Sequence, residues 1–150
     1  MYVDYYESPI GLIEIKADEG SVYEINRVTE MALASAPNKL TDLAIIELRE
    51  YFAGSRTVFT LPLDPKGTDF QKKVWAELLT IPFGEKTTYG KLAAKINKPR
   101  AARAVGNAIG KNPLLIVIPC HRVVAEFGLG GFSAGLENKK ILLKHETTEV

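Results

Sequence analysis

The chain has 150 residues, 46% of them hydrophobic and 25% charged, a balance that suits a folding unit able to bury its own core in water. A single cysteine excludes an intramolecular disulfide, and with only two histidines it also excludes zinc sites built from repeated Cys/His pairs. No apolar run is long enough to span a bilayer and no charged-then-apolar leader opens the sequence, so a cytoplasmic protein without a membrane partner is expected.

The net charge of +1 hides a split. Residues 1–66 carry 6 Lys/Arg against 11 Asp/Glu, whereas residues 67–150 carry 13 against 7. Residues 86–111 hold seven basic side chains and no acidic one. Such a stretch is either a solvated basic face or the footprint of a polyanion.

In chain order, residues 2–8 are aromatic and extended in preference, and Pro9-Ile10-Gly11 supplies a turn. Residues 12–17 alternate apolar and polar, Asp18-Glu19-Gly20 turns, and residues 21–26 alternate again, which predicts two or three antiparallel strands. After a loop around Pro37, Asn38 or Thr41 caps a predicted helix with apolar positions Leu40, Leu43, Ala44, Ile46, Leu48 and Tyr51, ending before Gly54. Residues 58–61 read as a further short strand, and 61–67, with Pro62, Pro65 and Gly67, as a linker. The boundary is set accordingly at 1–64 and 65–150.

Thr68 and Gln71 have the spacing of a capping box opening a helix to Thr80. Two short helices follow, from about Thr88 to Ile96 and from about Arg100 to Gly110. Together they read as a helix-turn-helix over residues 88–111. On the second, Ala102, Val105 and Ile109 share one face, while Arg103, Asn107 and Lys111 share another. Ala101, Ala104, Gly106 and Ala108 leave that helix thin. Either it approaches a narrow groove closely, or the alanines are simply good helix formers. The apolar run from Leu114 leads into Pro119-Cys120-His121-Arg122, so Cys120 is either a small buried hydrophobe or a thiol delivered to a cavity. Adjacent side chains of an extended segment point apart, so direct contact between Cys120 and His121 is not expected.

Tyr89, Arg103, Asn112, the run Pro119-Cys120-His121-Arg122-Val123, Ser133 and Glu146 together resemble the O6-alkylguanine-DNA alkyltransferase family. The likeness is close over residues 67–146 and looser through Ser8-Pro9-Ile10-Gly11. It implies an α+β fold of two domains: a small antiparallel sheet with a helix, then a mostly helical winged helix-turn-helix domain. It also implies repair of double-stranded DNA by a monomer that needs no cofactor. The alkyl group of O6-alkylguanine, and by extension O4-alkylthymine, passes once to Cys120 after minor-groove binding and base flipping.

In the same likeness a water relays the Cys120 proton to His121, and Glu146 orients the imidazole. His145 is left structural. Tyr89 assists the departing guanine, and Arg103 fills the gap left by the flipped base, with Ala101, Ala102, Ala104, Gly106 and Lys111 completing the DNA-facing helix. Asn112 braces the turn before the active-site segment. Backbone groups of Val123 read the guanine edge, Ser133 contacts its O6, and the glycine-rich stretch 128–135 closes over the base. Phe132 stands where many relatives have tyrosine, which leaves apolar packing in place of a hydroxyl contact.

Overall fold

The structure, a computed structural model, describes residues 1–147. The chain divides into two units: Met1–Lys66 together with Pro113–Leu115, and Gly67–Asn112 together with the residues from Ile116 onward.

The first unit is a three-stranded antiparallel meander, β1 (Tyr2–Ser8), β2 (Gly11–Ala17) and β3 (Val22–Arg27), with helix α1 (Lys39–Phe52) packed on it. The expected alternation places Ile13, Ile15 and Ala17 in the core with Val22, Ile25, Ala44 and Leu48, and Ile15 sits opposite both Asp4 and Ile25. Glu14 departs from that alternation and is also buried; it accepts a hydrogen bond of 2.8 Å from the Tyr5 hydroxyl, which compensates its lost hydration. Asn38 caps α1, accepting from Leu40 N and Thr41 N, while Thr41 returns a bond to the cap.

Residues 58–61 are not a strand. Glu47, buried on α1, takes the Thr60 amide at 2.9 Å and the Thr60 hydroxyl, so a side chain satisfies backbone that a neighbouring strand was expected to satisfy. The segment read as a linker is also partly engaged. Val22 N donates to Pro62 O (2.8 Å) and Asp64 N to Val22 O (3.1 Å). Farther along the same edge of β3, Ile25 N donates to Pro113 O (2.8 Å) and Leu115 N to Ile25 O (2.9 Å). Two short backbone pieces thus cover an edge that would otherwise present open donors and acceptors.

The second unit contains α2 (Asp69–Leu78), β4 (Thr87–Thr88), α3 (Tyr89–Lys95), α4 (Ala102–Gly110), β5 (Val123–Val124) and α5 (Leu136–Thr147). The Thr68/Gln71 capping box opens α2 as expected. Thr88 caps α3 by accepting from Lys91 N, and the turn into α4 passes through Asn97 at φ 62°, a left-handed conformation that asparagine tolerates. On α4, Val105, Ala108 and Ile109 are the buried positions. Ala102, expected inside, is half-buried and Ala108 takes the inward place. Trp75 of α2 locks this packing, its indole N–H donating to Ala108 O at 2.8 Å. β4 pairs in parallel with β5, Thr87 opposite Val123 and Thr88 opposite Val124. Among the described residues no helix is long and apolar enough to cross a membrane.

Candidate active site

The apolar run before the cysteine is buried but coiled. Ile116 adopts φ 71°, a left-handed backbone that costs a β-branched residue about 1–3 kcal/mol and persists only where its surroundings over-determine it. Cys120–Arg122 then forms a 3₁₀ turn, with Cys120 N donating to Ile118 O (2.8 Å) and Arg122 N to Pro119 O (3.0 Å). This corrects the expectation of an extended segment. In a turn of three residues, successive side chains fan out by about 120°, so Cys120, His121 and Arg122 address three different surroundings.

Cys120 is buried yet lines a cavity of about 110 Å³. Tyr89 from the start of α3, Gly106, Ile109 and Gly110 from α4, and Gly131, Phe132 and Ser133 from the glycine-rich loop complete its wall. The Tyr89 hydroxyl accepts from Gly131 N at 3.2 Å. Gly130 lies so close to the tyrosine that a Cβ there would come within 2.6 Å of its hydroxyl oxygen, and its φ is +73°. Glycine at this position is therefore a requirement of both backbone and space.

The two residues after Cys120 belong to a buried ionisable network. His121 Nε2 lies 2.6 Å from Glu146 Oε2. Arg122 donates from Nε to Glu146 Oε1 (2.7 Å), from Nη2 to Oε2 (3.0 Å) and from Nη1 to Ile81 O (2.6 Å). Gly84 N approaches Oε1 at 3.4 Å. His121 Nδ1 is buried without a hydrogen-bond partner among the described residues. Burial holds the His121 imidazole below its ordinary range; Glu146 opposes that shift, and the charges of Arg122 and Lys139 reinforce it. The resting imidazole is thus neutral at pH 7, with its proton on the nitrogen that faces the carboxylate.

Burial likewise pushes the Cys120 thiol up, against smaller lowering effects from the Asn112 amide, the Lys139 charge and nearby backbone N–H groups. The resting group is a thiol, and a nucleophilic thiolate has to be generated during reaction. Asn112 also donates to Ile118 O at 2.8 Å, tying the end of α4 to the residue two before Cys120.

Lys139 was not singled out from the sequence. It is fully buried, and its ammonium donates to the carbonyls of Val123 (2.7 Å), Leu129 (2.5 Å) and Gly131 (2.9 Å), filling all three of its donor sites. Burial lowers its pKa to about 8, with Cys120 opposing that shift. Lys139, Leu142 and Glu146 are the buried positions of α5, at i, i+3 and i+7. A lysine and a glutamate on the inward stripe of a helix were the available signal.

Of the residues expected at the site, Tyr89, Gly106, Cys120, Phe132 and Ser133 share the cavity. His121, Glu146 and Asn112 are buried outside that lining, and Val123 is buried on β5. Arg103, Ala104 and Lys111 are exposed and Ala101 and Ala102 half-buried; none of these five lines the cavity. His145 stacks edge-on against Phe83 at 6.2 Å.

Two family models match the chain in succession: the ribonuclease-like domain of 6-O-methylguanine DNA methyltransferase over residues 1–65 and its DNA binding domain over residues 69–148. A methylated-DNA–protein-cysteine methyltransferase of Methanosarcina barkeri is 43% identical, with 97% of each chain covered; one of Mycobacterium bovis is 44% identical, over 93% of this chain and 88% of its own. Among solved structures, that of a Mycobacterium tuberculosis protein in complex with DNA superposes with a TM-score of 0.89 at 40% identity, covering 99% of this chain and 94% of the other. An O6-methylguanine DNA methyltransferase of Methanococcus jannaschii gives 0.74 at 29% identity, over 98% and 95%. Both halves are matched in order, and the cavity that holds Cys120 falls within the second match: the chain belongs to the 6-O-methylguanine DNA methyltransferase family.

Proposed function

We propose that this protein repairs O6-alkylguanine in duplex DNA by moving the alkyl group onto Cys120, acting as a methylated-DNA–protein-cysteine methyltransferase that is consumed by one turnover. The observation that carries this reading is the placement of Cys120: it lines a cavity, and the residue after it in the same 3₁₀ turn is a neutral imidazole oriented by a carboxylate at 2.6 Å.

The thiol proton passes through a bridging water to His121 Nδ1, the nitrogen without a protein partner. An S–H bond breaks, an N–H bond forms, and Glu146 stabilises the resulting imidazolium. The thiolate displaces guanine at the alkyl carbon: the S–C bond forms as the C–O6 bond breaks, and the bonding pair leaves on the guanine oxygen. Tyr89 accepts from Gly131 N and keeps its own O–H to give to the departing base. Solvent then restores the Tyr89 proton and removes the one held by His121, so the net transfer is one proton from Cys120 to guanine. The thioether is stable, which makes the acceptor single-use.

The flipped base reaches Cys120 through the cavity walled by α4 and the glycine-rich loop. Arg103, exposed on α4, takes the place of the extruded base, and the small residues Ala101, Ala102, Ala104 and Gly106 bring the helix backbone close to the minor groove, with Lys111 at its end. Ser133 and the backbone at Val123 address the guanine edge, and Phe132 packs on its face. Residues 1–64 serve as a structural domain and 65–150 as the DNA-binding and acceptor domain. Every group in this scheme comes from one chain, which supports action as a monomer.

Incubation with a duplex containing O6-methylguanine is expected to add one methyl mass to the peptide that carries Cys120 and nothing further with time. Cys120→Ala is expected to bind the same duplex and leave the lesion in place. Repeated turnover, or a methyl group found elsewhere on the chain, would refute the reading.

A further inference from the structure

Arg122 takes no part in the steps above, yet it holds the most elaborate set of contacts near the thiol. Its fork closes on both oxygens of Glu146 (2.7 and 3.0 Å), and its remaining terminal nitrogen donates to Ile81 O at 2.6 Å. The guanidinium carbon lies 5.9 Å from the centre of the Phe83 ring. Three pieces of the second unit therefore meet on one side chain: the 3₁₀ turn that carries Cys120, helix α5, and the loop after α2.

A glutamate carboxylate turns readily about its last torsion, and a single contact with a histidine does not settle which oxygen faces the ring or at what angle. A bidentate guanidinium does, because two parallel N–H···O bonds fix the carboxylate plane in a way that one ammonium cannot. With Arg122 on both oxygens, Oε2 is left to meet His121 Nε2 at 2.6 Å, and the ring must donate there. Its lone pair then falls on Nδ1, the nitrogen without a protein partner. The charged and titratable groups that act on this ring are Glu146, Arg122 and Lys139. Of these, Arg122 is the one that grips Glu146.

We propose that Arg122 is a positioning residue of the alkyl transfer, holding Glu146 so that His121 is kept as its Nε2–H tautomer and presents Nδ1 to accept the Cys120 proton. This rests on the reading of Cys120 as the alkyl acceptor. It assigns to the arginine after the histidine a task in the proton path rather than in DNA contact.

The test uses the full chain labelled with ¹⁵N-histidine, with His145→Gln to assign the two residues. In the wild type, His121 is expected to give one protonated-type and one unprotonated-type ring nitrogen, the protonated one being Nε2. In Arg122→Met the two signals are expected to move toward each other as the tautomers mix. Alkyl transfer from free O6-benzylguanine is expected to fall by up to about 100-fold, the cost of a misplaced reacting group, while affinity for undamaged duplex is unchanged. Arg122→Lys keeps the charge without the two-point grip and is expected to lie between them; it carries the test alone if the methionine variant does not fold. Ring signals that stay as in the wild type, whatever the rate does, would overturn the inference, because a purely structural loss slows the reaction without altering the tautomer. A wild type that acquires no alkyl group on Cys120 refutes the acceptor reading and takes this inference with it. A wild type that is alkylated, beside variants that react like it, refutes the inference alone.

Discussion

Cys120 combines two properties that oppose each other. Burial shelters the thiol and raises its pKa, which slows its reaction at rest, while the residue lines a cavity through which a partner can reach it. The residues that resolve this opposition are small or unusual. Gly130 is one: Gly130→Ala puts a methyl group against the Tyr89 hydroxyl and a side chain onto a left-handed backbone, so a destabilisation of about 1–3 kcal/mol is expected. Reaction with alkylated duplex should fall further than thermal stability alone explains, because Tyr89 is displaced; repair rates measured well below the melting temperature check this. Lys139 is the other. Lys139→Met leaves the carbonyls of Val123, Leu129 and Gly131 without their donor and removes a charge that lowers the Cys120 pKa. A slower reaction of Cys120 with iodoacetamide at pH 7.5 is expected, together with faster proteolytic cleavage near residues 129–131. Unchanged thiol reactivity would separate the loop-holding role of Lys139 from its electrostatic one.

At the level of elements, the proposed mechanism gives α4 two jobs, walling the cavity and approaching DNA, that its composition makes compatible. Val105, Ala108 and Ile109 face inward, Gly106 and Gly110 leave room for the cavity, and Arg103 and Lys111 remain exposed. A helix with long side chains all round could not both wall a base-sized pocket and approach a groove. Arg103→Ala is expected to weaken repair of duplex by about tenfold or more, since base extrusion costs a few kcal/mol. Reaction with free O6-benzylguanine, which needs no extrusion, should be unaffected. Equal losses on the two substrates would remove the intercalating role. The helices before α4 owe their positions to local chemistry: the Asn38/Thr41 and Thr68/Gln71 boxes start α1 and α2, and Thr88 starts α3. α5 has no comparable signature. Its inward stripe is Lys139, Leu142 and Glu146, two of the three being charged, so the helix does not show as a hydrophobic period.

For the molecule as a whole, the buried His121 links stability to pH. Its pKa in the folded state lies below the ordinary value of 6.5, so on acidification the unfolded chain binds a proton that the folded one does not. Stability contributed by this group is complete above about pH 6.5 and is lost as pH falls below it, with a slope of up to about 1.4 kcal/mol per unit. Denaturation midpoints recorded from pH 7.5 to 5 should show this fall, and His121→Gln should show a shallower one. A wild type and variant with parallel profiles would mean that His121 has the same pKa in the folded and unfolded chains, against the lowered folded-state value. The charge asymmetry acts at the same scale, and the basic stretch 86–111 predicts DNA affinity that drops with salt and depends little on sequence.

What could be read from the residues alone was whatever neighbours in the chain decide. The three strands of the meander follow from alternation and turn residues, α1 and α2 from their caps, and Cys120 as a singular thiol from composition. Two of the misreadings share a cause. Residues 58–61 have strand-like side chains, but the Thr60 amide is bound by Glu47, thirteen positions before it. Residues 120–122 have the composition of an extended segment, but hydrogen bonds to Ile118 and Pro119 wind them into a turn. The pairing of Glu146 with His121 came from a family likeness and not from spacing. The grip of Arg122 on that carboxylate and the three carbonyls around Lys139 were not legible at all. These contacts join positions 8 to 25 residues apart, and a buried charge is stable only where its partners converge. That convergence is a property of packing, so the sequence by itself determined the meander and the capped helices and singled out one thiol, and the tertiary structure decided which ring nitrogen, which carboxylate oxygen and which loop carbonyls meet.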